Sequence, residues 1–357
     1  MKKIVLLTIC AVIFQVSCSS SNTQDQDPNT DPVNQNPTES SEWSIPIADV
    51  FDGGPGRDGI PALENPGFVT VEDDFLLLDN DLVLGYKNGD DIRAYQHLVL
   101  DWHEIINDNV GDVSVAVTYC PLTGTGIGWN RVINGKETTF GVSGLLYNTN
   151  LIPFDRETQS NWSQILNESV NGQLIGETVE LISLVETDWK TWKAMYPSTK
   201  VLSSNTGFSR TYGIYPYFDY KTSNDFFLFP VEKDNRLPLK ERVLAIVDGA
   251  DAKTYRFLDL TTENIVRDSF KGIEHLIVGN ENFMVSFELD SNTGSLDFEY
   301  VFDGSDVILR DSENNQWNIF GEAVSGPRNG ERLRSSPAFM GYWFSIPAFY
   351  NTEIYSN

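Results

Sequence analysis

Basic residues, cysteine and histidine are all scarce in this sequence of 357 residues. Lys and Arg together number 25, against 51 Asp and Glu, and the formal net charge is −26. Nucleic acids and anionic lipid surfaces are bound through clusters of basic side chains. The composition therefore argues against a nucleic-acid partner and against polybasic attachment to a membrane.

The sequence also lacks an apolar run long enough to span a bilayer, which takes about 20 consecutive apolar residues. The apolar stretch at residues 4–14 follows Lys2 and Lys3 and leads to Val16-Ser17-Cys18. A basic start, a short apolar stretch and small residues are typical of a secretory signal. The end of this segment resembles a bacterial lipobox, in which Cys18 becomes the lipidated first residue. We therefore predict a signal peptide over 1–17 and a lipid-anchored location in the cell envelope, with the membrane contacted through the anchor only.

With three cysteines, the mature chain has no internal disulfide. Cys10 lies in the predicted signal and Cys18 carries the lipid, which leaves Cys120. A lone thiol in an exported protein is either a reactive group or a small buried hydrophobe. Residues 18–45 are rich in Ser, Asn, Gln, Asp and Pro without apolar periodicity, so we predict a flexible linker there.

The rest of the chain contains an internal repeat. Pairs of similar residues recur at an offset of 160, as in Val83-Leu84 and Val243-Leu244, Asn88-Gly89 and Asp248-Gly249, Tyr95 and Tyr255, and Asp108 and Asp268. A fixed offset kept over many residues is the signature of a duplicated unit. We predict a first β-rich unit with its connecting segment over 46–240 and a second β-rich unit over 241–357.

Alternating β-branched residues and frequent turn residues predict a mainly β fold with minor helices. Asn134-Gly135 lies between two predicted strands, Trp129–Ile133 and Lys136–Val142, and predicts a hairpin with a type I′ turn. Short helices are predicted at Leu100–Ile106, Trp162–Leu166 and Trp189–Met195. We therefore predict a mainly β fold with minor helices, made of two related β-rich units that arose by internal duplication.

The differences between the two copies point to a candidate site. Residues needed for the scaffold should recur in both copies, whereas site residues can survive in one. Glu263 stands opposite His103, and the stretch around Cys120 has no recognisable counterpart in the second copy. The unusual residues therefore belong to the first copy.

Several of these motifs resemble one family. They are Asp58-Gly59-Ile60-Pro61-Ala62-Leu63, Tyr119-Cys120-Pro121-Leu122 with Gly124, Phe140-Gly141-Val142-Ser143-Gly144 and Trp162-Ser163-Gln164. Together they resemble the DUF3179 family of uncharacterised bacterial proteins, from about residue 46 to the C-terminus. The resemblance implies no activity. Many members have a second cysteine where this chain has Thr123, so a Cys-x-x-Cys redox pair is excluded here.

Three functions remain open on sequence alone. In the first, Cys120, His103 and His97 bind copper or zinc, since thiolate and imidazole suit both metals. In the second, Cys120 is a nucleophile, with His103 as base and Glu104 or Asp108 as the orienting group. In the third, the protein is a non-catalytic binding or scaffold protein of the cell envelope. Asn107, Asp108 and Arg156 are further candidate members of the site. The sequence does not determine whether the chain is an enzyme. It also does not identify a protein or small-molecule partner.

Overall fold

The structure, a computed structural model, describes residues 42–356 and confirms a mainly β protein with few helices. No helix in that part of the chain is long and apolar enough to cross a membrane. The strands, in chain order, are β1 (Val50–Asp52), β2 (Leu63–Glu64), β3 (Phe68–Val69), β4 (Leu82–Asn88), β5 (Asp91–Gln96), β6 (Ile105–Val110), β7 (Val113–Cys120), β8 (Thr125–Asn130), β9 (Val132–Ile133), β10 (Lys136–Glu137), β11 (Phe140–Tyr147), β12 (Asn150–Asp155), β13 (Asn161–Ser163), β14 (Glu168–Asn171), β15 (Leu181–Ile182), β16 (Val185–Asp188), β17 (Lys200–Leu202), β18 (Arg242–Asp248), β19 (Asp251–Arg256), β20 (Ile265–Phe270), β21 (Ile273–Gly279), β22 (Met284–Leu289), β23 (Phe298–Tyr300), β24 (Val307–Asp311), β25 (Gln316–Asn318), β26 (Ala323–Ser325), β27 (Arg334–Ser335), β28 (Ala338–Tyr342) and β29 (Asn351–Ile354). The α-helices are α1 (His97–His103) and α2 (Trp189–Met195), and 3-10 helices lie at Ile47–Asp49, Phe257–Leu260 and Trp343–Ser345.

Each sheet is built from strands of one half of the sequence, either the N-terminal or the C-terminal half. Strands β1 to β17 form sheets in the orders β16-β4-β5-β17-β3, β15-β8-β7-β6-β2 and β1-β11-β12-β13-β14, together with the hairpin β9-β10. Strands β18 to β29 form sheets in the orders β28-β18-β19-β29, β20-β21-β22-β27 and β23-β24-β25-β26. Among the described strands, no sheet therefore combines strands from before and after residue 242.

The predicted hairpin turn is confirmed, although its arms are shorter than expected. Asn134 and Gly135 have φ values of 50° and 78°, as a type I′ turn requires, and Lys136 pairs with Ile133. The predicted outer residues belong to other strands, because Trp129 lies in β8 and Phe140 begins β11. Their burial in the core outweighs the local hairpin pattern.

Of the three predicted helices, Trp189–Met195 is confirmed as α2. The helix predicted at Leu100–Ile106 is shifted, since α1 spans His97–His103 and Ile105 already pairs with Thr118 in the sheet. The reason is Glu104, whose φ of 58° is outside the helical region and ends the helix. The helix predicted at Trp162–Leu166 is wrong, because Trp162 lies in strand β13, fully buried against Trp129.

Helix α1 has an unusual buried face. Its buried residues include Val99 and Leu100, as expected of a core helix, but also His97, Asp101 and His103. Ionisable side chains are seldom fully buried, because removing a charge from water is costly. The helix therefore places three ionisable side chains in the protein interior beside strand β7.

Residues 203–241 connect β17 to β18 and contain neither helix nor strand, and we call them the aromatic segment. Connections longer than about 15 residues without secondary structure of their own are uncommon and are usually functional. The segment packs on the first half of the chain, where Trp102 Nε1 donates to the carbonyl oxygen of Ile214 over 3.1 Å. Lys240 at its end donates to the carbonyl oxygens of Tyr220 and Phe226, which folds the segment back on itself.

Candidate binding site around Cys120

The helix end and a neighbouring strand end meet at the candidate site. The left-handed conformation of Glu104 turns the chain from α1 directly into β6. Its carbonyl oxygen then accepts a hydrogen bond of 2.7 Å from the backbone N–H of Tyr119 in β7. Because Cys120 follows Tyr119, this contact brings the last turn of α1 beside the thiol.

The tight turn after Cys120 requires a glycine. The N–H of Gly124 donates to the carbonyl oxygen of Cys120 over 2.8 Å, and Gly124 has a φ of +63°. A Cβ atom at this position would lie 2.7 Å from Nη1 of Arg242 and 3.0 Å from the ring of Tyr342. The N–H of Tyr342 also donates to the carbonyl oxygen of Thr123 over 2.7 Å. The turn is thus the place where the second half of the chain contacts the site.

Cys120 is a buried, neutral thiol. Cys120 is 2% exposed, and its Sγ lies 3.8 Å from the carbonyl oxygen of Thr149. Burial, together with the nearby negative charge of Glu104, raises the pKa of the Cys120 thiol to about 11, against weaker opposing hydrogen bonds from Thr123 and Leu151. The thiolate is the nucleophilic form of cysteine, so this environment disfavours attack.

Two carboxyl groups lie beside the thiol in the interior. Asp101 is 3% exposed, and its Oδ1 has no hydrogen-bond partner. Burial raises the pKa of Asp101 to about 7, opposed by Lys221, whose Nζ is 4.0 Å from Oδ2. Burial also raises the pKa of Glu104 to about 8, with a smaller opposing effect from a hydrogen bond of Tyr217. The region therefore contains buried acids whose charge is incompletely balanced.

The aromatic segment covers these groups. Tyr215 donates to the carbonyl oxygen of Pro121 over 3.0 Å, and Tyr217 donates to Oε1 of Glu104 over 3.4 Å. Tyr220 is fully buried, and its hydroxyl has no hydrogen-bond partner. Lys221 extends from the same segment, with its Nζ 4.5 Å from the centre of the Tyr215 ring. We define the Asp101 cluster as Asp101, Glu104, Cys120, Tyr215 and Tyr217.

His103 is oriented by other partners. Its Nδ1 lies 2.7 Å from the carbonyl oxygen of Pro61, and its Nε2 lies 2.6 Å from the hydroxyl of Tyr212. Burial lowers the pKa of His103, which favours the neutral ring. With both nitrogens occupied, the imidazole neither orients a thiol nor accepts its proton in this arrangement.

His97 belongs to a neighbouring group. Its ring packs on Tyr119, with ring centres 4.4 Å apart, and Nε2 lies 3.5 Å from Oε2 of Glu186. Burial lowers the pKa of His97 well below its usual value, and the positive charge of Arg242 adds to this effect. Arg242 forms an ion pair with Glu186, so this group combines one acid, one base and a neutral imidazole.

The other candidates have structural partners. The side chain of Asn107 exchanges two hydrogen bonds with the backbone of Phe140, with 2.8 Å for each. Asp108 accepts a hydrogen bond of 2.7 Å from Tyr95. Arg156 pairs with both carboxyl oxygens of Asp58 at the surface, over 2.7 and 2.8 Å. These three residues hold strands and loops together and lie outside the Asp101 cluster.

The structure also bears on the predicted metal ligands. Within residues 42–356, no three His, Cys, Asp or Glu side chains converge in a group that can hold a metal ion. Cys120, His103 and His97 each have different neighbours, as described above. The predicted lipidation site, Cys18, lies outside the described residues, so its role stays a prediction.

Sequence reasoning missed Asp101 and the tyrosines of the aromatic segment. One signal for Asp101 was present, because it lies four residues after His97 and therefore on the same face of a helix. No local pattern indicates that residues 215–221 fold over Cys120, since that contact depends on a long-range chain reversal. Glu186 and Arg242 likewise come together from strands that are distant in sequence.

The fold and the site define a mainly β protein with a buried cluster of acids, tyrosines and one thiol. The sequence profile of the family described as "Protein of unknown function (DUF3179)" matches residues 57–353, and the chain belongs to this family. No curated protein and no solved structure is significantly similar to the chain.

Proposed function

We propose that this protein is a lipid-anchored binding protein of the bacterial cell envelope that binds a small organic cation in the Asp101 cluster. The cation carries N–H donors, as a primary ammonium or a guanidinium does. Of the functions predicted from the sequence, this is the binding-protein alternative, and it requires no catalytic step.

The envelope location rests on the N-terminal sequence. Lys2 and Lys3, the apolar residues 4–14 and the lipobox-like Val16-Ser17-Cys18 support export and lipidation. The strong net negative charge supports a soluble surface rather than a second, electrostatic grip on lipid. The anchor at Cys18 is then the contact with the membrane.

We also propose that the two halves of the chain are copies of one unit. In support, the order β16-β4-β5-β17 has the same pattern as β28-β18-β19-β29. In both, the last pair is parallel, while the other neighbours are antiparallel.

Side-chain pairs repeat in the same way. Tyr95 donates to Asp108 over 2.7 Å, and Tyr255 donates to Asp268 over 2.9 Å, at the offset of 160 seen in the sequence. The indole of Trp162 donates to Asp155, and that of Trp317 donates to Asp311. Contacts that recur in both copies serve the scaffold, which agrees with the structural role of Asp108.

One observation carries the proposed binding function. Asp101 is almost fully buried, yet its Oδ1 has no hydrogen-bond partner and its ion pair with Lys221 is long, at 4.0 Å. Leaving a buried acceptor unsatisfied costs about 1–3 kcal/mol, and more for a charged group. A ligand that donates hydrogen bonds to this oxygen removes that cost.

The charge balance favours a cationic ligand. The negative charge of Asp101 raises the cost of ionising Glu104, and the cation beside Asp101, Lys221, is exposed to solvent. Lys221 also illustrates the geometry of recognition, because its ammonium group lies over the ring of Tyr215 and faces a carboxylate. Aromatic rings and carboxylates together are a common environment for organic cations.

The other two predicted functions have less support. For a thiol nucleophile, Cys120 should be activated by a base or cation, whereas burial and Glu104 raise its pKa and His103 is bonded elsewhere. For a copper or zinc site, at least three donors should converge, and the described residues contain no such group.

The test is calorimetric titration of the mature protein at pH 8 with ethylamine, agmatine, choline, zinc and copper. We expect saturable binding of ethylamine or agmatine and weaker binding of choline, which has no N–H donor. The variants Asp101→Asn and Glu104→Gln should each weaken binding by at least about tenfold, since a hydrogen bond to a charged group contributes about 1.5–3 kcal/mol.

Asp268→Asn is the matched control, because Asp268 is a half-buried acid of the second half that pairs with Tyr255. It should leave the titrations unchanged. Failure of all amines to bind, or equal binding by wild type and Asp101→Asn, contradicts the proposal. Stoichiometric zinc or copper that is lost in Cys120→Ala would instead identify the metal site predicted from the sequence.

A further inference from the structure

A cavity of about 90 Å³ lies between the sheets of the two halves. Strands β8 and β16 line one side, and strands β18, β22 and β28 line the other. The apolar part of its walls includes Leu84, Ile127, Leu244, Phe287, Phe320 and Met340. This cavity lies outside the Asp101 cluster, whose five residues do not line it.

Five polar residues also line the cavity, namely Ser183, Glu186, Ser286, Ser335 and Ser336, and two of them have an oxygen without a hydrogen-bond partner. Glu186 and Ser286 both line the cavity, and they are 8% and 7% exposed. Oε2 of Glu186 and Oγ of Ser286 have no hydrogen-bond partner. Buried polar atoms are nearly always hydrogen-bonded, so two unpaired oxygens at one cavity point to a ligand.

The charge of Glu186 is already balanced. Arg242 forms an ion pair with Oε1 of Glu186, whereas the imidazole of His97, with Nε2 3.5 Å from Oε2, is neutral and adds no charge. Arg242 also donates to the carbonyl oxygen of Gly124 over 3.1 Å, which fixes the guanidinium in place. A neutral ligand therefore fits this cavity better than a second cation.

The two polar residues have apolar counterparts under the duplication proposed above. Glu186 pairs with Leu84, and at the equivalent place Met340 pairs with Leu244. Ser286 pairs with Ile277, and its counterpart Gly128 pairs with Val117. Each copy thus tolerates an apolar residue where the other has a polar one. Pairing with the neighbouring strand within each sheet therefore does not require Glu186 or Ser286.

We propose that this cavity binds a small neutral alcohol of about three or four carbons. Its hydroxyl donates to the carboxylate of Glu186 and accepts from the hydroxyl of Ser286, while its alkyl part contacts the apolar walls. The size follows from comparison with an apolar cavity of about 150 Å³, which accommodates benzene. A hydroxyl group is both donor and acceptor and so satisfies both unpaired oxygens.

The experiment is an NMR saturation-transfer titration of the mature protein with 1-propanol. Ethyl methyl ether, which has the same number of heavy atoms and no donor, is titrated in parallel. Wild type should bind 1-propanol saturably and the ether more weakly. Ser286→Ala should weaken binding of 1-propanol by about tenfold, since a hydrogen bond contributes about 0.5–1.5 kcal/mol.

Two further variants complete the test. Ala338→Leu fills the cavity from strand β28 and should abolish binding of both probes. Val324→Ala changes an exposed apolar residue away from the cavity lining and should have no effect. Absence of saturable binding by wild type, equal binding of the alcohol and the ether, or unchanged binding in Ala338→Leu would each overturn the proposal. Asp101 does not line the cavity, so these results are independent of the amine titrations.

Discussion

The hydroxyl of Tyr215 donates a hydrogen bond of 3.0 Å to the carbonyl oxygen of Pro121, the residue that follows Cys120. This bond fastens the aromatic segment directly over the thiol. Tyr217, two residues further on, makes a second contact by donating to Glu104. A segment without regular secondary structure therefore supplies part of the site, which explains why the sequence around Cys120 alone does not describe the site.

We expect Cys120 to be inert towards thiol reagents in the folded protein. With a pKa raised to about 11, roughly one molecule in a thousand carries the thiolate at pH 8. Reaction with a chromogenic disulfide should be slow in the native state and complete within minutes in guanidinium chloride. Tyr215→Phe should accelerate the native reaction, because it removes the bond to Pro121. Rapid modification of the native wild-type protein would contradict the burial and neutrality of this thiol.

The buried acids should make stability depend on pH. The folded-state pKa values of Asp101 and Glu104 are about 7 and 8, whereas unfolded Asp and Glu titrate near 3.9 and 4.3. Between these values the native state binds more protons, so the free energy of unfolding falls as pH rises from about 5 to 8. The loss is at most about 1.4 kcal/mol per pH unit for each acid.

Urea denaturation at several pH values checks this dependence. The stability difference between wild type and Glu104→Gln should shrink or change sign as pH rises, because the amide does not titrate. Parallel pH profiles for the two proteins would show that Glu104 has an ordinary pKa. The titration of other groups is common to both proteins and cancels in the difference.

Gly124 and Gly135 provide a matched pair for testing the turn after Cys120. Both have positive φ values, +63° and +78°, but a Cβ at Gly135 meets no atom within 4 Å, whereas one at Gly124 lies 2.7 Å from Arg242. Gly135→Ala should cost about 1 kcal/mol of stability from backbone strain. Gly124→Ala should cost clearly more and should alter the contact with the second half. Thermal unfolding measures both, and equal losses would show that this close contact is unimportant.

The two tyrosine–aspartate pairs should behave alike. Tyr95→Phe and Tyr255→Phe each remove one hydrogen bond to a carboxylate, from Asp108 and Asp268. We expect each variant to lose about 1–3 kcal/mol of unfolding free energy without a change in amine binding. Loss of binding in Tyr95→Phe alone would mean that Asp108 belongs to the binding site.

Local sequence patterns predicted the parts of the fold that are set by local chemistry. The Asn134-Gly135 turn is an example, since its φ values follow from the preferences of those two residues. Helix α2 is another, because Asp188 accepts a hydrogen bond from Thr191 N–H and caps its first turn. The shifted boundary of α1 has a different explanation, since the left-handed conformation of Glu104 accompanies a tertiary contact, the hydrogen bond from the N–H of Tyr119.

The site itself was predicted only in part. The turn from Cys120 to Gly124 and the acid Glu104 were found because the sequence comparison of the two halves singled out this region. Asp101, Tyr215 and Lys221 were not, because their proximity depends on the path of the aromatic segment over α1. His103 was assigned to the thiol from sequence proximity, whereas its ring bonds to Pro61 and Tyr212 instead.

The central claim is that Asp101 and Glu104, whose pKa values are raised by burial, lose protons when they bind a cation. The most direct test is calorimetry with agmatine at pH 7, in buffers with different ionisation enthalpies. Because the pKa values are about 7 and 8, binding should release about one proton, and the observed heat should vary with the buffer. Asp101→Asn should reduce the proton release. A heat that is the same in every buffer, or no binding at all, would contradict the account.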